Sequence, residues 1–207
     1  MRSRDGQVAL SGVRPGRGLS VASGQTVVMA DGIEWLLLVY RVPTEPTRHR
    51  AAVWRRLKAL GAVYLQNSVA ALPASTESER ALRVLRNDIR EMRGTAQLLR
   101  ADALAGQEEI VAAVNAARDE EYAEVFSRCR DFLAEIAKET AAEKFTYAEL
   151  EENDEDLTKL RAWFDKIRAR DRLAAAGQAG AQKALDECAT ALEGFAERVY
   201  AAELGQP

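Results

Sequence analysis

The longest apolar run in the chain is WLLLVY, Trp35 to Tyr40, and it stops at Arg41. Apolar residues at consecutive positions, bounded by Pro43 and Pro46, predict a short strand covered on both faces. Beyond Pro46 the period changes. Val53, Trp54, Leu57 and Leu60 recur at helical spacing, Pro46 suits a helix start and Gly61 a helix end, so a helix is expected over 47–60. Two short runs, AVYLQ at 62–66 and VAAL at 69–72, flank Asn67-Ser68 and read as strands, the second ended by Pro73. Ser75 or Thr76 can cap a second helix, running to about Arg93 and closed by Gly94. Leu82, Leu85, Ile89 and Met92 form its apolar stripe. TAQLLRA, 95–101, supplies a fourth strand.

The order β-α-β-β-α-β is the ferredoxin-like arrangement. Everything after Gly106 has helical period: one helix over 107–140, one over 147–173 with Asn153 or Asp154 as a restart point, and one over 179–204. The glycines Gly177 and Gly180 are expected to break the last two apart. The fold class is therefore α+β, a ferredoxin-like sheet followed by an all-helical subdomain. Residues 1–32, rich in Gly, Ser and Arg without sustained period, read as a disordered arm. The basic domain spans 33–104 and the acidic helical subdomain 105–207. Such a sheet carries helices on one face only. A first strand buried on both faces then needs a cover, either the later helices or a second copy of the chain.

The chain has 207 residues, enough for one large domain or two small ones, and its 47% hydrophobic content can build a core. No apolar run approaches the ~20 residues of a membrane span, and the start lacks a signal-peptide pattern. A cytoplasmic protein with reduced thiols is expected, with translation beginning at Met1 or at Met29. Cys129 and Cys188 lack metal-ligand spacing and read as packing residues. With His49 the single histidine, a multi-histidine metal site is excluded, and no cofactor is expected.

The net charge of −3 hides an asymmetry. Residues 34–104 carry twelve Lys and Arg against seven Asp and Glu, whereas residues 105–207 carry thirteen against twenty-three. The excess cations are arranged. Arg83, Arg86, Arg90 and Arg93 recur along one stripe of the second helix, extended by Arg80. The first helix carries Arg48, Arg50, Arg55, Arg56 and Lys58. With both helices on one side of the sheet, these residues would form a single basic surface. A phosphate backbone suits it, and arginine forks suit phosphate and guanine edges. The plainer reading is a solvated face paired with Glu77, Glu79, Asp88 and Glu91. A second cluster, Lys159 to Arg172, surrounds Trp163. Arg161, Arg168 and Arg170 are its candidate anion ligands, although acid first and base last also suits a helix dipole. His49, between two arginines, is either a phosphate contact or merely exposed.

WLLLVYRVPTEPTRHRAAVWRRLKALGAVYLQNSV resembles the amino-terminal domain of the chromate-resistance regulator family ChrB. ENDEDLTKLRAWFDKIRARD and ALDECATALEGFAERVY are similar to later parts of the same domain. The resemblance implies a chromate-responsive, DNA-binding transcriptional regulator whose arginines and lysines contact promoter DNA, here Arg48, Arg50, Arg55, Arg56, Lys58, Arg83, Arg86, Arg90 and Arg93. Longer family members continue into a second domain linked to chromate sensing. This sequence stops at Pro207 without it, which implies a short form. The first half also resembles the ferredoxin-like part of phenylacetate-type repressors and the small nucleases of CRISPR adaptation. Those nucleases hold a metal with an aspartate at the end of the first strand. Here that position reads Val39-Tyr40-Arg41, and a cation opposes metal binding, so no enzymatic activity is expected.

Two other readings remain open from the residues. One is a protein that handles chromate or another oxyanion through Arg161, Arg168 and Arg170 without binding DNA. The other is an assembly module whose helical half is the interface. The regulator reading carries a homodimer as its expected state and promoter DNA as its partner, with no membrane.

Overall fold

In a computed structural model, residues 32–204 are described. The arm expected over 1–32 falls, but for Gly32, outside them. The elements are β1 (Glu34–Arg41), α1 (Thr47–Leu60), β2 (Val63–Gln66), β3 (Val69–Pro73), α2 (Thr76–Glu91), β4 (Thr95–Asp102), α3 (Gln107–Ala141), α4 (Tyr147–Arg170) and α5 (Gly177–Leu204). The four strands form one sheet in the order β2-β3-β1-β4, with every neighbouring pair antiparallel.

This order explains the unbroken apolar run. β1 lies between β3 and β4, so its side chains alternate between two cores. Leu36 and Leu38 pack with Val53 and Leu57 of α1 and with Leu82, Leu85 and Ile89 of α2. Trp35 points the other way and packs with Val63, Ala71 and Val114, the last from α3. The helical half thus supplies the cover for the second face, but only in part. Leu65 and Leu99 stay exposed.

The helical half keeps its own core. Tyr122, Val125, Cys129, Phe132 and Ile136 line one stripe of α3, at spacings of three and four. They meet Leu157, Phe164 and Ile167 of α4 and Leu185, Cys188, Leu192 and Phe195 of α5. Both cysteines are buried and free. Burial pushes the Cys188 thiol up to about 12 and raises that of Cys129, so both are packing groups at neutral pH.

Three boundaries differ from the sequence pattern. α4 runs through Asn153 without a restart. The Asn153 side chain is buried and donates to Glu139 of α3 at 2.6 Å and to the Glu149 carbonyl at 2.8 Å, so it ties helices together instead of capping one. The second difference is the break before α5, which falls at 171–176 and not at the glycines. Gly177 is the first residue of α5, and its N–H donates to the Asp119 carboxylate at 2.7 Å. A cap supplied from another helix is invisible to local reading. Finally, α2 ends at Glu91, so Arg93 is not on the helical stripe; it sits in the turn with φ +60°. Gly94 follows because a Cβ there would meet the Arg41 carbonyl oxygen at 2.5 Å.

Candidate nucleic-acid interface

α1 and α2 lie on the same face of the sheet, as their shared core requires. Between them stands an ion pair, Arg56 to Asp88 at 2.6 Å. Their other cations do not form the single surface expected from the stripes. Arg50 and Trp54 line a cleft beside Tyr64 of β2, whereas Arg83 and Arg86 line one beside Leu98, Leu99 and Arg100 of β4. β2 and β4 are opposite edges of the sheet, so the two groups flank it on opposite sides.

The groups converge at one end. β1 finishes there at Arg41, which pairs with Thr95 at the start of β4. α1 begins at this end with Arg48 and Arg50, α2 finishes with Arg90, and Arg93 follows in the turn. The β2–β3 turn completes it, with the Tyr40 N–H donating to the Ser68 carbonyl at 2.9 Å. Arg41, Arg48, Arg50, Arg90 and Arg93 are all exposed, and none has an ion pair among the described residues. The acids at this end are Glu45 and Glu91.

Elsewhere on the two helices the cations divide into engaged and free. Arg83 is tied to Glu79, which also receives Arg100; these guanidiniums hold the Glu79 carboxyl below its usual range. Arg56 is engaged by Asp88. Arg55, Lys58, Arg80 and Arg86 make no ion pair among the described residues, and Lys58 sits over the Trp54 ring at 5.5 Å. Sequence reasoning missed the contribution of Trp54. Its place in the apolar stripe of α1 put it in the core, but its side chain is 50% exposed. It lines the cleft beside Tyr64 of the edge strand β2.

The anion cluster proposed around Trp163 is not assembled. Arg161 lines a groove between α4 and α5, Arg168 pairs with Asp165 at 2.9 Å, and Arg170 pairs with Glu121 of α3 at 2.9 Å. On an α-helix, Arg161 and Arg170 are nine positions apart and so fall on opposite sides. Glu121 also faces Arg118, which is only 3% exposed and whose charged form burial disfavours. Arg118 lies against Gly61, where a Cβ would come within 2.8 Å of its Nη1. This junction ties the end of α1 to the helical half. Arg172 adds a pair with Glu77 at 2.7 Å. These contacts hold the acidic helices away from the basic end.

A second cleft, about 640 Å³, lies between α3 and α4 and contains Glu135, Glu139, Glu149 and Asp156. Among the described residues no group of three or more His, Cys, Asp and Glu is placed to hold a metal ion. Glu139 is buried, and its carboxyl is raised above its ordinary 4.5, first by burial and then by the neighbouring Glu149. A raised carboxyl contributes its full stability only below the ordinary value, and that contribution is lost as pH rises through the folded value. Glu139→Gln keeps an acceptor for Asn153 and removes the charge. It is expected to raise stability at pH 7.5 by roughly 1 kcal/mol and to change it little at pH 4. Urea unfolding at the two pH values checks this.

No helix among the described residues is long and apolar enough to cross a membrane. No curated protein matches the chain, and no solved structure matches it. A family model does, the one described as Protein ChrB, N-terminal, over residues 50–206. That span begins within α1, after β1, Arg41 and Arg48, and takes in α2, the other three strands and the helical half. The chain belongs to the ChrB N-terminal family.

Proposed function

We propose that this protein is a DNA-binding transcriptional regulator associated with chromate resistance, with no catalytic step, and that the basic end of its ferredoxin-like sheet is the DNA face. Family membership fits a chromate-resistance regulator. The observation that carries the DNA assignment is the set of unpaired arginines, Arg41, Arg48, Arg50, Arg90 and Arg93, brought to one end from three separate elements and the turn after α2. Surface cations that serve only solubility gain from local acids, as Arg56 and Arg83 do. A cluster of unpaired guanidiniums repels itself and is relieved by a polyanion. The acidic helical half, held at the far end, keeps its own charge off the DNA. Exposed Leu65 and Leu99 on the partly covered sheet face leave apolar surface for the second copy of a homodimer.

The test is binding of the protein to a labelled duplex from its own upstream DNA over a range of salt, with and without chromate. About five phosphate contacts predict that log affinity falls against log salt with a slope of roughly −4 to −5. Release by chromate would add sensing within this chain. Absence of binding at low salt would end the regulator reading.

A further inference from the structure

The basic end contains a cleft that shares Arg41 and Arg50 with the proposed DNA face. It has a volume of about 600 Å³ and is lined by Tyr40, Arg41, Arg50, Trp54, Tyr64 and Asn67, among others. Its size is that of a small-ligand site. Two aromatic side chains bring polar and apolar surface to it. Trp54, from α1, is 50% exposed, and Tyr64, from β2, is 40% exposed. The phenol oxygens of Tyr40 and Tyr64 lie 3.0 Å apart, which fixes the Tyr64 ring at the wall. Burial and this contact push the Tyr64 phenol up, so it stays a neutral hydrogen-bonding group. Arg41 and Arg50 are exposed and have no ion pair among the described residues. Lys58, outside the cleft lining, stands 5.5 Å from the centre of the Trp54 ring.

An exposed aromatic face, phenol hydroxyls and unpaired guanidiniums in one cleft match a planar heterocycle carrying an anion. Base–aromatic stacking supplies binding without sequence preference, and the guanidiniums take the phosphate. A base inside a duplex cannot enter, because its faces are covered by its neighbours. We propose that this cleft holds one unstacked nucleobase with its attached phosphate, the base on Trp54 and the phosphate on Arg41 and Arg50. The proposal rests on the nucleic-acid reading for its setting, yet it concerns a different substrate form. The same chemistry could come from a single strand, an extruded base or a free nucleotide.

The experiment titrates the full chain with an eight-nucleotide single strand, with thymidine 5′-monophosphate and with duplex, following tryptophan fluorescence in the parent and, for the parent and the Trp54 variants alike, the anisotropy of dye-labelled strand and duplex. Of the three tryptophans, Trp35 is buried and Trp163 is half-buried in the helical half, so the difference between the parent and Trp54→Phe isolates the response of Trp54. Saturable quenching by the single strand is expected. Trp54→Ala should weaken single-strand binding by roughly 10-fold or more, with Trp54→Phe close to the parent and duplex affinity within about threefold, since the duplex is held by charge. Equal affinity for the mononucleotide assigns the site to a free nucleotide, and binding of the single strand alone assigns it to a strand; either supports the proposal. Single-strand binding unchanged in Trp54→Ala overturns it, even if duplex binding is intact. Conversely, quenching without any duplex binding sinks the regulator reading and leaves the cleft standing. Capture of neither nucleic acid overturns both.

Discussion

Replacing Trp35 with alanine is expected to lower the stability of the protein by about 3–5 kcal/mol. Trp35 is 1% exposed and heads the fully buried side chains in volume. It sits on the second face of β1, where it meets Val63 and Ala71 of the sheet and Val114 of α3. That small cluster is the apolar joint between the sheet and the helical half. The alanine side chain would leave a cavity that cannot collapse, because β1 is held by strands on both sides. The indole Nε1 has no hydrogen-bond partner, so nothing polar is lost with it. Trp35→Phe, which keeps most of the apolar volume, is expected to cost less than half as much. Denaturant unfolding followed by both fluorescence and circular dichroism measures this. In the alanine variant the two probes should separate, since the helical half retains its own core. A loss below 1 kcal/mol would mean that the joint contributes little.

The combined substitution of Arg48, Arg50, Arg90 and Arg93 by alanine is expected to reduce duplex affinity at low salt by roughly a hundredfold or more, and to make the salt slope shallower by about 3 to 4. These four side chains are exposed and free of ion pairs among the described residues, so their loss should leave folding intact. The informative control is Arg56→Ala with Arg83→Ala. Both of those cations are already engaged, by Asp88 and Glu79. Removing them frees Asp88, while Glu79 keeps Arg100, and is expected to change the slope by about 1 or less. An unchanged slope in the fourfold variant, with the control equally affected, would move the DNA face away from this end of the sheet.

The contrast between those two variants marks how far the site could be read from residue order. The arginine-rich stripes were legible as spacing. Spacing does not state which cations find a carboxylate. Arg83 meets Glu79 within its own helix, a pairing that local reading can suggest, but Arg100 joins that pair from a different strand. Arg56 meets Asp88 across two helices. Arg41 enters the site because β1 ends beside the start of β4, a register set by the sheet. Trp54 was read as core from its period, and the edge position of β2 left it half uncovered.

Local order along the chain was enough to place the elements. α1 spans the residues that Pro46, the apolar stripe and Gly61 marked out, because proline and left-handed glycine act within one turn. Ser75 caps α2 through its own side chain, which accepts from the Ser78 N–H at 3.0 Å. Elements bounded by contacts from afar were misplaced: the start of α5 depends on Asp119, and the continuity of α4 depends on Glu139 holding Asn153. The same division governs function. Residue types and their periods depend on neighbours three or four positions away, and they carried the basic character and the helical halves. Convergence of Arg41, Arg50, Trp54 and Tyr64 on one cleft depends on strand order and on which face each helix covers, and these are fixed by packing between segments far apart in the chain.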